Sequence, residues 1–266
     1  MTDESLRYRS APQRRAEILD CLQHVGFMTT AELASRLGVS EMTIRRDAHL
    51  LHKRGEVISS RGALRLPNWA DVPGGGDLGD DYANRARTAT SGKMVIGKLA
   101  AADVRNDDII AVDAGTTACQ VVRALPPEFV GTVVTHSIPA INLLLDRPHI
   151  KSIALGGDIH APSRALVGST TVENVRRLKV RSFYLGAAAV DERGVYASAD
   201  VEKQVKNTLM SISDRIVLLI DHRKFDLTAP VLLCGWDSIN SIVTDKKVSH
   251  DFSDLFARTG INVVTP

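Results

Sequence analysis

Short apolar segments recur through residues 82–266 and alternate with segments of helical periodicity. Six of them are strand candidates, at 109–112, 132–135, 151–155, 182–185, 215–220 and 241–243. Helix candidates separate most of these strands, for example 93–102, 117–125, 172–178 and 201–213. Strands that are continuously apolar are buried on both faces, and intervening helices supply the cover. The pattern therefore predicts a Rossmann-like, mainly parallel α/β domain over residues 82–266.

Composition places the whole chain among ordinary globular proteins. It has 266 residues, of which 44% are hydrophobic and 24% are charged, which fits one or two domains and excludes a disordered chain. No apolar run approaches the ~18 residues that span a bilayer, so we expect a cytoplasmic protein with no membrane partner. The three cysteines, Cys21, Cys119 and Cys234, are far apart, and the eight histidines are scattered. We therefore expect no metal and no cofactor.

A change in amino-acid composition at residues 67–81 divides the chain. Residues 67–81, PNWADVPGGGDLGDD, hold two prolines, four glycines and four aspartates without a periodic apolar face. Such composition predicts a linker between a domain at 11–66 and one at 82–266. The alternative is a long surface loop inside one domain. Residues 1–66 carry 11 Lys and Arg against 8 Asp and Glu, whereas the rest of the chain carries 22 against 23. The positive excess therefore lies in the shorter piece, and it is small, so it permits nucleic-acid binding without demonstrating it.

Three helical patterns follow one another before the linker. Ile18, Leu19, Leu22 and Val25 have helical spacing. The run 29–32, TTAE, fits a capping box at the start of a second helix that ends at Gly38. Ser40 is a suitable N-cap for a third helix over 41–53, and residues 56–66 fit a β-hairpin around Arg61 and Gly62. This order of elements is that of a winged helix-turn-helix domain.

The third helix has two different faces. At 100° per residue, Ile44, Asp47, Ala48 and Leu51 share one side, while basic and polar side chains occupy the other. Such a surface can enter a major groove, where Arg binds guanine or phosphates, although a solvated helix face is the plainer alternative. The candidate DNA-binding residues are Ser40, Met42, Thr43, Arg45, Arg46, His49, Lys53 and, on the hairpin, Arg61.

The stretch 14–47 resembles the N-terminal domain of the DeoR family of bacterial sugar-metabolism regulators. The motifs that carry the resemblance are Glu32-Leu33-Ala34, Leu37-Gly38-Val39-Ser40 and Thr43-Ile44-Arg45-Arg46-Asp47. Two positions depart from the family pattern. Ala48 stands where the family usually has leucine, and the hairpin reads Ser60-Arg61-Gly62-Ala63 instead of His-Gly-Gly-Ala. The resemblance implies double-stranded operator DNA as a partner.

Glycines and hydroxyl residues follow the predicted strands of the larger domain. Asp113-Ala114-Gly115-Thr116-Thr117 comes after the first strand, where free amides at a helix start would bind phosphate, although a plain tight turn fits equally well. Ligands of parallel sheets gather at the carboxyl ends of strands. The sequence therefore predicts a cavity for a polyol or sugar phosphate. Glu202 and Lys206 are four residues apart on a predicted helix, a spacing that also fits a surface salt bridge.

The larger domain also resembles the DeoR family, in its C-terminal effector domain. Two loop positions depart from the family, because His136 stands where asparagine is usual and Arg223 where serine is usual. We keep His136 among the candidates because it lies in one of these loops. The resemblance and the strand ends together imply the effector-binding residues Asp113, Gly115, Thr116, Thr117, Thr135, His136, Ser137, Gly156, Gly157, Gly186, Glu202, Lys206 and Lys224.

An enzymatic alternative follows from the similarity of this effector fold to pentose-phosphate isomerases. Those isomerases carry an Asp-Gly-Ala-Asp-Glu run that supplies catalytic carboxylates, and the matching stretch here is Leu185-Gly186-Ala187-Ala188-Ala189. Proton transfer needs a titratable group within reach of the substrate, so we expect binding without turnover.

Together these features predict a transcriptional regulator of a carbohydrate catabolic operon, most simply a repressor that a phosphorylated sugar or related metabolite releases from DNA. Two half-sites multiply a modest single contact, so we expect a homo-oligomer, either a dimer or a tetramer. The alternatives are a DNA-binding activator, or a scaffold whose C-terminal domain only oligomerises.

Overall fold

The computed structural model describes residues 10–25, 27–60, 63–66, 82–225, 227 and 229–266. The chain divides into two compact units, Met1–Gly79 and Asp80–Pro266. The predicted linker at 67–81 and the hairpin residue Arg61 lie outside the described residues.

The first unit packs three helices against a small antiparallel sheet. Its elements are α1 (Ala11–Val25), β1 (Phe27–Thr29), α2 (Thr30–Leu37), α3 (Glu41–Lys53), β2 (Ile58–Ser60) and β3 (Ala63–Arg65). The strand order is β1-β3-β2, so β3 pairs with both neighbours. The three predicted helices and the hairpin are confirmed. The pairing of β1 with β3 was not predicted, because it joins residues far apart in sequence.

Local capping sets the ends of α2 and α3. The Thr29 hydroxyl accepts from the Glu32 amide at 3.1 Å, and the Glu32 carboxylate accepts from the Thr29 amide at 2.8 Å. This reciprocal pair is the predicted capping box. Gly38 ends α2 with a φ of 65°, a left-handed conformation that side chains disfavour, and Ser40 then caps α3.

The second unit contains most of the secondary structure. Its helices are α4 (Tyr82–Arg87), α5 (Thr90–Ala101), α6 (Ala118–Ala124), α7 (Ile138–Leu145), α8 (Ser169–Arg176), α9 (Asp200–Ser211) and α10 (His250–Thr259). Its strands are β4 (Ile109–Val112), β5 (Thr132–Thr135), β6 (Lys151–Ala154), β7 (Asp158–His160), β8 (Ala165–Val167), β9 (Val180–Gly186), β10 (Ala189–Asp191), β11 (Gly194–Ala197), β12 (Ser213–Leu219), β13 (Val231–Cys234), β14 (Ser241–Val243) and β15 (Asn262–Val264).

A seven-stranded sheet with the order β15-β14-β12-β9-β4-β5-β6 forms the centre of this unit. Every neighbouring pair in it is parallel, which confirms the predicted α/β class. The six predicted strands are β4, β5, β6, β9, β12 and β14. Smaller antiparallel groups, β10-β11-β13 and β7-β8, were not predicted, because their strands are short and interrupt the alternation.

Successive residues of the central strands point into two separate cores. Ala111 and Phe183 belong to the core covered by α8, α9 and α10, whereas Ile110 and Tyr184 belong to the core covered by α5, α6 and α7. This period of two explains why the strands are apolar at nearly every position. The result is a sheet between two helical layers, with its carboxyl ends left for binding. No helix of the described residues has the length and apolar character needed to cross a membrane.

Candidate functional site

The outer side of α3 carries the predicted DNA-binding side chains. Met42, Arg45, Arg46, His49 and Lys53 are all exposed, and the exposed fraction of Met42 reaches 67%. Ser40 is exposed and Thr43 is half-buried at the start of this helix. The opposite residues, Ile44, Asp47, Ala48 and Leu51, are buried. The two faces therefore divide as the helical periodicity predicted.

Polar contacts at the start of α3 hold its first turn. The Ser40 hydroxyl accepts from the Thr43 amide at 3.2 Å. One guanidinium nitrogen of Arg45 lies 3.4 Å from a carboxylate oxygen of Glu41, an exposed pair that contributes little to stability. The guanidinium of Arg46 lies one position further along the same exposed side.

Asp47 has a structural role on the inner side of α3. It is buried, and one of its oxygens accepts from the Arg14 Nε atom of α1 at 2.5 Å. A guanidinium nitrogen of Arg15 lies 3.8 Å from the other oxygen. A buried carboxylate needs such partners, so this ion pair positions α3 against α1.

A pocket of the second unit opens where strands β4 and β9 end. The space between its walls is about 420 Å³ when the open solvent at its mouth is included. The loop Gly115-Thr116-Thr117 after β4 and Gly186 at the end of β9 form one side. Glu202 and Lys206 of α9 and Lys224 complete the predicted residues that line it.

A buried ion pair lies directly beneath this pocket. Asp113 is fully buried, and one carboxylate oxygen accepts from the Lys206 Nζ atom at 2.6 Å and from the Gly186 amide at 2.9 Å. Burial is the largest single influence and opposes ionisation of Asp113, but its neighbours, with Lys206 first among them and the Gly186 amide included, together outweigh burial and hold the pKa of this carboxyl below its ordinary value. Likewise, burial disfavours the charged form of Lys206, but Asp113 and Glu202 raise its pKa.

His136 lies behind Asp113. Its ring is fully buried, and its Nε2 atom lies 3.4 Å from the second Asp113 oxygen without hydrogen-bond geometry. Burial is the main cause that lowers the pKa of His136 below its ordinary value, against the attraction of Asp113. Protonation of this imidazole is therefore less favourable in the folded protein than in the unfolded chain.

Glu202 and Lys206 are not the surface pair that their spacing also allowed. Both are buried, and the Lys206 Nζ atom lies 3.7 Å from a Glu202 carboxylate oxygen. Lys224 is buried too and donates to the Ala187 carbonyl at 2.9 Å. Cations, hydroxyls and one carboxylate thus meet in a single pocket.

Six predicted effector residues do not line this pocket. Asp113 and His136 lie beneath it, as described. Thr135 donates to the Val112 carbonyl at 2.7 Å, and Ser137 caps α7 by accepting from the Ala140 amide at 3.3 Å. These two residues therefore fix the end of β5 and the start of the next helix.

Gly156 and Gly157 form the turn between β6 and β7. Gly157 has a φ of 109°, and a Cβ atom there would collide with the Thr171 hydroxyl. A glycine is required at this position by the backbone and by the close approach of Thr171.

The structure adds lining residues that were not among the predicted effector-binding residues. They are Arg85, Ala114, Ala187, Ala188, Ala197 and Ser198. Arg85 lies on α4, far in sequence from every strand end that drew attention to the pocket. Its Nε atom is buried and finds no hydrogen-bond partner among the described residues. Arg85 does not follow any of the predicted strands, so no sequence signal of the type we used could have found it.

The chain matches two families over most of its length. Residues 14–69 match the DeoR-like helix-turn-helix domain, and residues 88–246 match the DeoR C terminal sensor domain. It is 28% identical to the HTH-type transcriptional repressor GlcR of Bacillus subtilis (strain 168), with 95% of each chain covered. It is 25% identical to the glycerol-3-phosphate regulon repressor of Escherichia coli (strain K12), covering 88% of this chain and 90% of that one.

A third relative, the L-fucose operon activator of Haemophilus influenzae, is 28% identical and covers 87% of this chain and 90% of that one. Among solved structures, ribose 5-phosphate isomerase A of Methanocaldococcus jannaschii aligns with 50% of this chain and 53% of that chain, at 18% identity and a TM-score of 0.37.

Proposed function

The chain belongs to the DeoR family of transcriptional regulators, and we propose that it represses a carbohydrate-use operon until a phosphorylated sugar releases it from operator DNA. The observation that carries this proposal is the pocket in which Lys206, Lys224 and the Thr116 and Thr117 residues converge with Glu202. Ammonium groups and hydroxyls match a phosphate, and a carboxylate accepts hydrogen bonds from sugar hydroxyls.

Residues 11–66 carry the DNA-binding part of this proposal. The exposed side chains of α3 include Arg45, Arg46 and Lys53, which provide positive charge, and Met42, which provides an apolar contact. Arginine binds guanine edges or phosphates, and apolar side chains contact the thymine methyl group. This part of the chain has a small excess of positive charge, so we expect its affinity for DNA to fall as the salt concentration rises.

Residues 82–266 carry the effector-binding part. A phosphorylated sugar would bind one arrangement of the protein better than the other and thereby lower operator affinity, and operator DNA would lower effector affinity by the same factor. The names of two relatives concern glycerol 3-phosphate and L-fucose, which supports a carbohydrate metabolite as the effector class.

Binding without turnover is the second part of the proposal. The three relatives described above are regulators of transcription by name. Along the pocket, Ala187 and Ala188 follow Gly186, and their methyl groups neither donate nor accept protons. A coupled assay with pentose and hexose phosphates should show no isomerisation above background. Turnover that Glu202→Gln abolishes would reverse this assignment.

We also propose that the protein binds DNA as a homodimer or homotetramer, since two half-sites multiply the affinity of one helix-turn-helix unit. Action on chromosomal DNA would make it a cytoplasmic protein. Sedimentation of the full chain tests the assembly, and a monomer at micromolar concentration would contradict it.

Calorimetry and fluorescence anisotropy together test the central proposal. The titrants are inorganic phosphate, glycerol 3-phosphate, ribose 5-phosphate, fructose 6-phosphate and glucose 6-phosphate, each compared with its unphosphorylated counterpart where one exists. We expect phosphorylated compounds alone to bind, and the tightest of them to release a labelled duplex taken from upstream of the regulated genes. A protein that binds the duplex but none of these compounds would be a scaffold or an activator without this effector class.

A further inference from the structure

Arg85 differs from the other cations of the pocket in its place in the chain. It lies on α4, a helix of six residues that is the first described element after residues 67–81. Lys206 lies in the middle of α9, and Lys224 follows strand β12. Arg85 is therefore the pocket cation nearest in sequence to the segment that connects the second unit to the first.

The surroundings of Arg85 favour a bound anion. Its side chain lines the pocket with Lys206 and Lys224, and its charge disfavours the protonated form of Lys206. Its Nε atom is buried without an acceptor among the described residues. A buried donor without a partner and a neighbouring like charge both destabilise this position of the side chain. An anion between these groups would reverse both effects, because it accepts from Arg85 and opposes the repulsion.

Contacts with α5, with α6 and with residues 162–164 hold α4 in place. The Arg85 carbonyl accepts from the Lys93 Nζ atom of α5 at 2.6 Å, and the Tyr82 amide donates to the Pro162 carbonyl at 2.8 Å. The Tyr82 side chain is buried, lies close to the Cys119 thiol of α6, and lies under the Arg164 guanidinium. A helix of six residues is unstable by itself, so these contacts determine whether α4 stays docked.

Arg85 connects anion binding to α4, because it belongs to this helix and also lines the pocket. We propose that Arg85 is the residue through which a bound phosphate stabilises the docked position of α4 and thereby lowers the affinity of the protein for operator DNA. The inference rests on the proposed function, since it assumes a phosphorylated effector. It assigns to Lys206 and Lys224 the task of binding the phosphate, and to Arg85 the task of transmitting its presence. A ligand shifts an equilibrium only if it binds one state better than the other. Here the phosphate would interact with Arg85 when α4 is docked and not when α4 is undocked.

Three methionine variants separate binding from transmission. Arg85→Met removes the proposed transmitting residue, and Lys224→Met removes a pocket cation that is not on α4. Arg87→Met removes an exposed cation from the same helix and is the control for charge. For each full-length protein, calorimetry measures affinity for the tightest phosphorylated compound of the panel, and anisotropy measures the operator Kd with and without saturating compound.

In the wild type and in Arg87→Met, we expect saturation to raise the operator Kd about tenfold or more. Lys224→Met should need more compound but reach the same rise. Arg85→Met should still bind the compound at saturation and yet leave the operator Kd nearly unchanged. An Arg85→Met protein that releases operator as fully as the wild type would overturn the inference while the proposed function stands. A wild type that binds no phosphorylated compound would overturn the proposed function itself.

Hydrogen exchange of the wild type tests the same idea without any variant. The backbone amides of residues 83–87 should exchange more slowly when the pocket is saturated, because α4 stays docked for longer. Unchanged exchange at these amides, together with slower exchange at Gly115 to Thr117, would show binding without an effect on α4 and would overturn the inference.

Discussion

The Nζ atom of Lys206 lies 2.6 Å from a carboxylate oxygen of Asp113, and both side chains are buried beneath the pocket. The pair joins α9 to the end of β4 across 93 positions of sequence. Because Lys206 also lines the pocket, the same ammonium has two roles. It neutralises a buried carboxylate, and it presents positive charge to a ligand.

We expect Lys206→Met to destabilise the protein by about 3–5 kcal/mol, because it leaves the Asp113 charge buried without its partner. Urea unfolding of the wild type and the variant measures this loss. The double variant Asp113→Asn with Lys206→Met removes both charges and should recover part of the stability. A double variant that is less stable than Lys206→Met alone would contradict the assignment of the penalty to an unpaired charge.

Replacing His136 should remove a pH dependence of stability. Burial lowers the pKa of His136 in the folded protein, while the unfolded chain keeps a value of about 6.5. Below that pH the unfolded chain binds a proton that the folded protein excludes, so the wild type loses stability as the pH falls. Asp113 and Glu202 attract this proton and Lys206 repels it, and burial outweighs the attraction.

His136→Asn cannot take up that proton. The free energy of unfolding of the wild type, relative to His136→Asn, should therefore fall by up to about 1.4 kcal/mol per pH unit below pH 6.5. Urea unfolding between pH 7.5 and 5 measures it. His149→Asn is the control, because that side chain is exposed. A constant difference between wild type and His136→Asn across this range would refute the prediction.

Arg46→Ala should weaken operator binding by about 1–3 kcal/mol if Arg46 contacts a base, with little effect on unrelated duplexes. If Arg46 contacts a phosphate instead, affinity for all duplexes should fall and the salt slope should decrease by about one. Anisotropy titrations at several salt concentrations distinguish these outcomes. Arg105→Ala removes an equal charge from an exposed position of the second unit and is the matched control. Equal affinities for Arg46→Ala and Arg105→Ala would exclude Arg46 from the DNA contact.

Arg14→Met should weaken DNA binding although we expect no contact between Arg14 and DNA. Its Nε atom is the 2.5 Å partner of the buried Asp47 carboxylate, so the variant leaves that charge poorly compensated and loosens α3 against α1. We expect a lower melting temperature of the first unit and a parallel loss of affinity for every duplex. Normal stability combined with weakened binding would indicate a direct DNA contact instead.

Signals contained within a few residues predicted the elements well. The capping box at 29–32 and the glycine stop at Gly38 predicted the two ends of α2, and the cap at Ser40 predicted the start of α3, because each signal acts across a single turn of chain. The strands at 109–112 and 132–135 were also predicted with their observed bounds, since continuous apolar runs identify buried parallel strands.

The division of the pocket residues could not be predicted in the same way. Strand ends identified both Gly115 and His136, yet the first lines the pocket and the second lies beneath Asp113. Their difference depends on how each loop leaves the sheet, which is decided by packing against distant elements. A position after a strand end therefore identified residues near the pocket, but it did not distinguish residues that line the pocket from residues buried beneath it.

The amino-acid sequence by itself determined the alternation of helices with the main parallel strands, the two faces of α3 and the edge of the sheet where a ligand would bind, because periodicity and capping are local properties. Only the tertiary structure decided which charges meet. It paired Asp113 with Lys206, buried Glu202 beside them and brought Arg85 of α4 to the same pocket, through contacts between segments that no spacing rule connects.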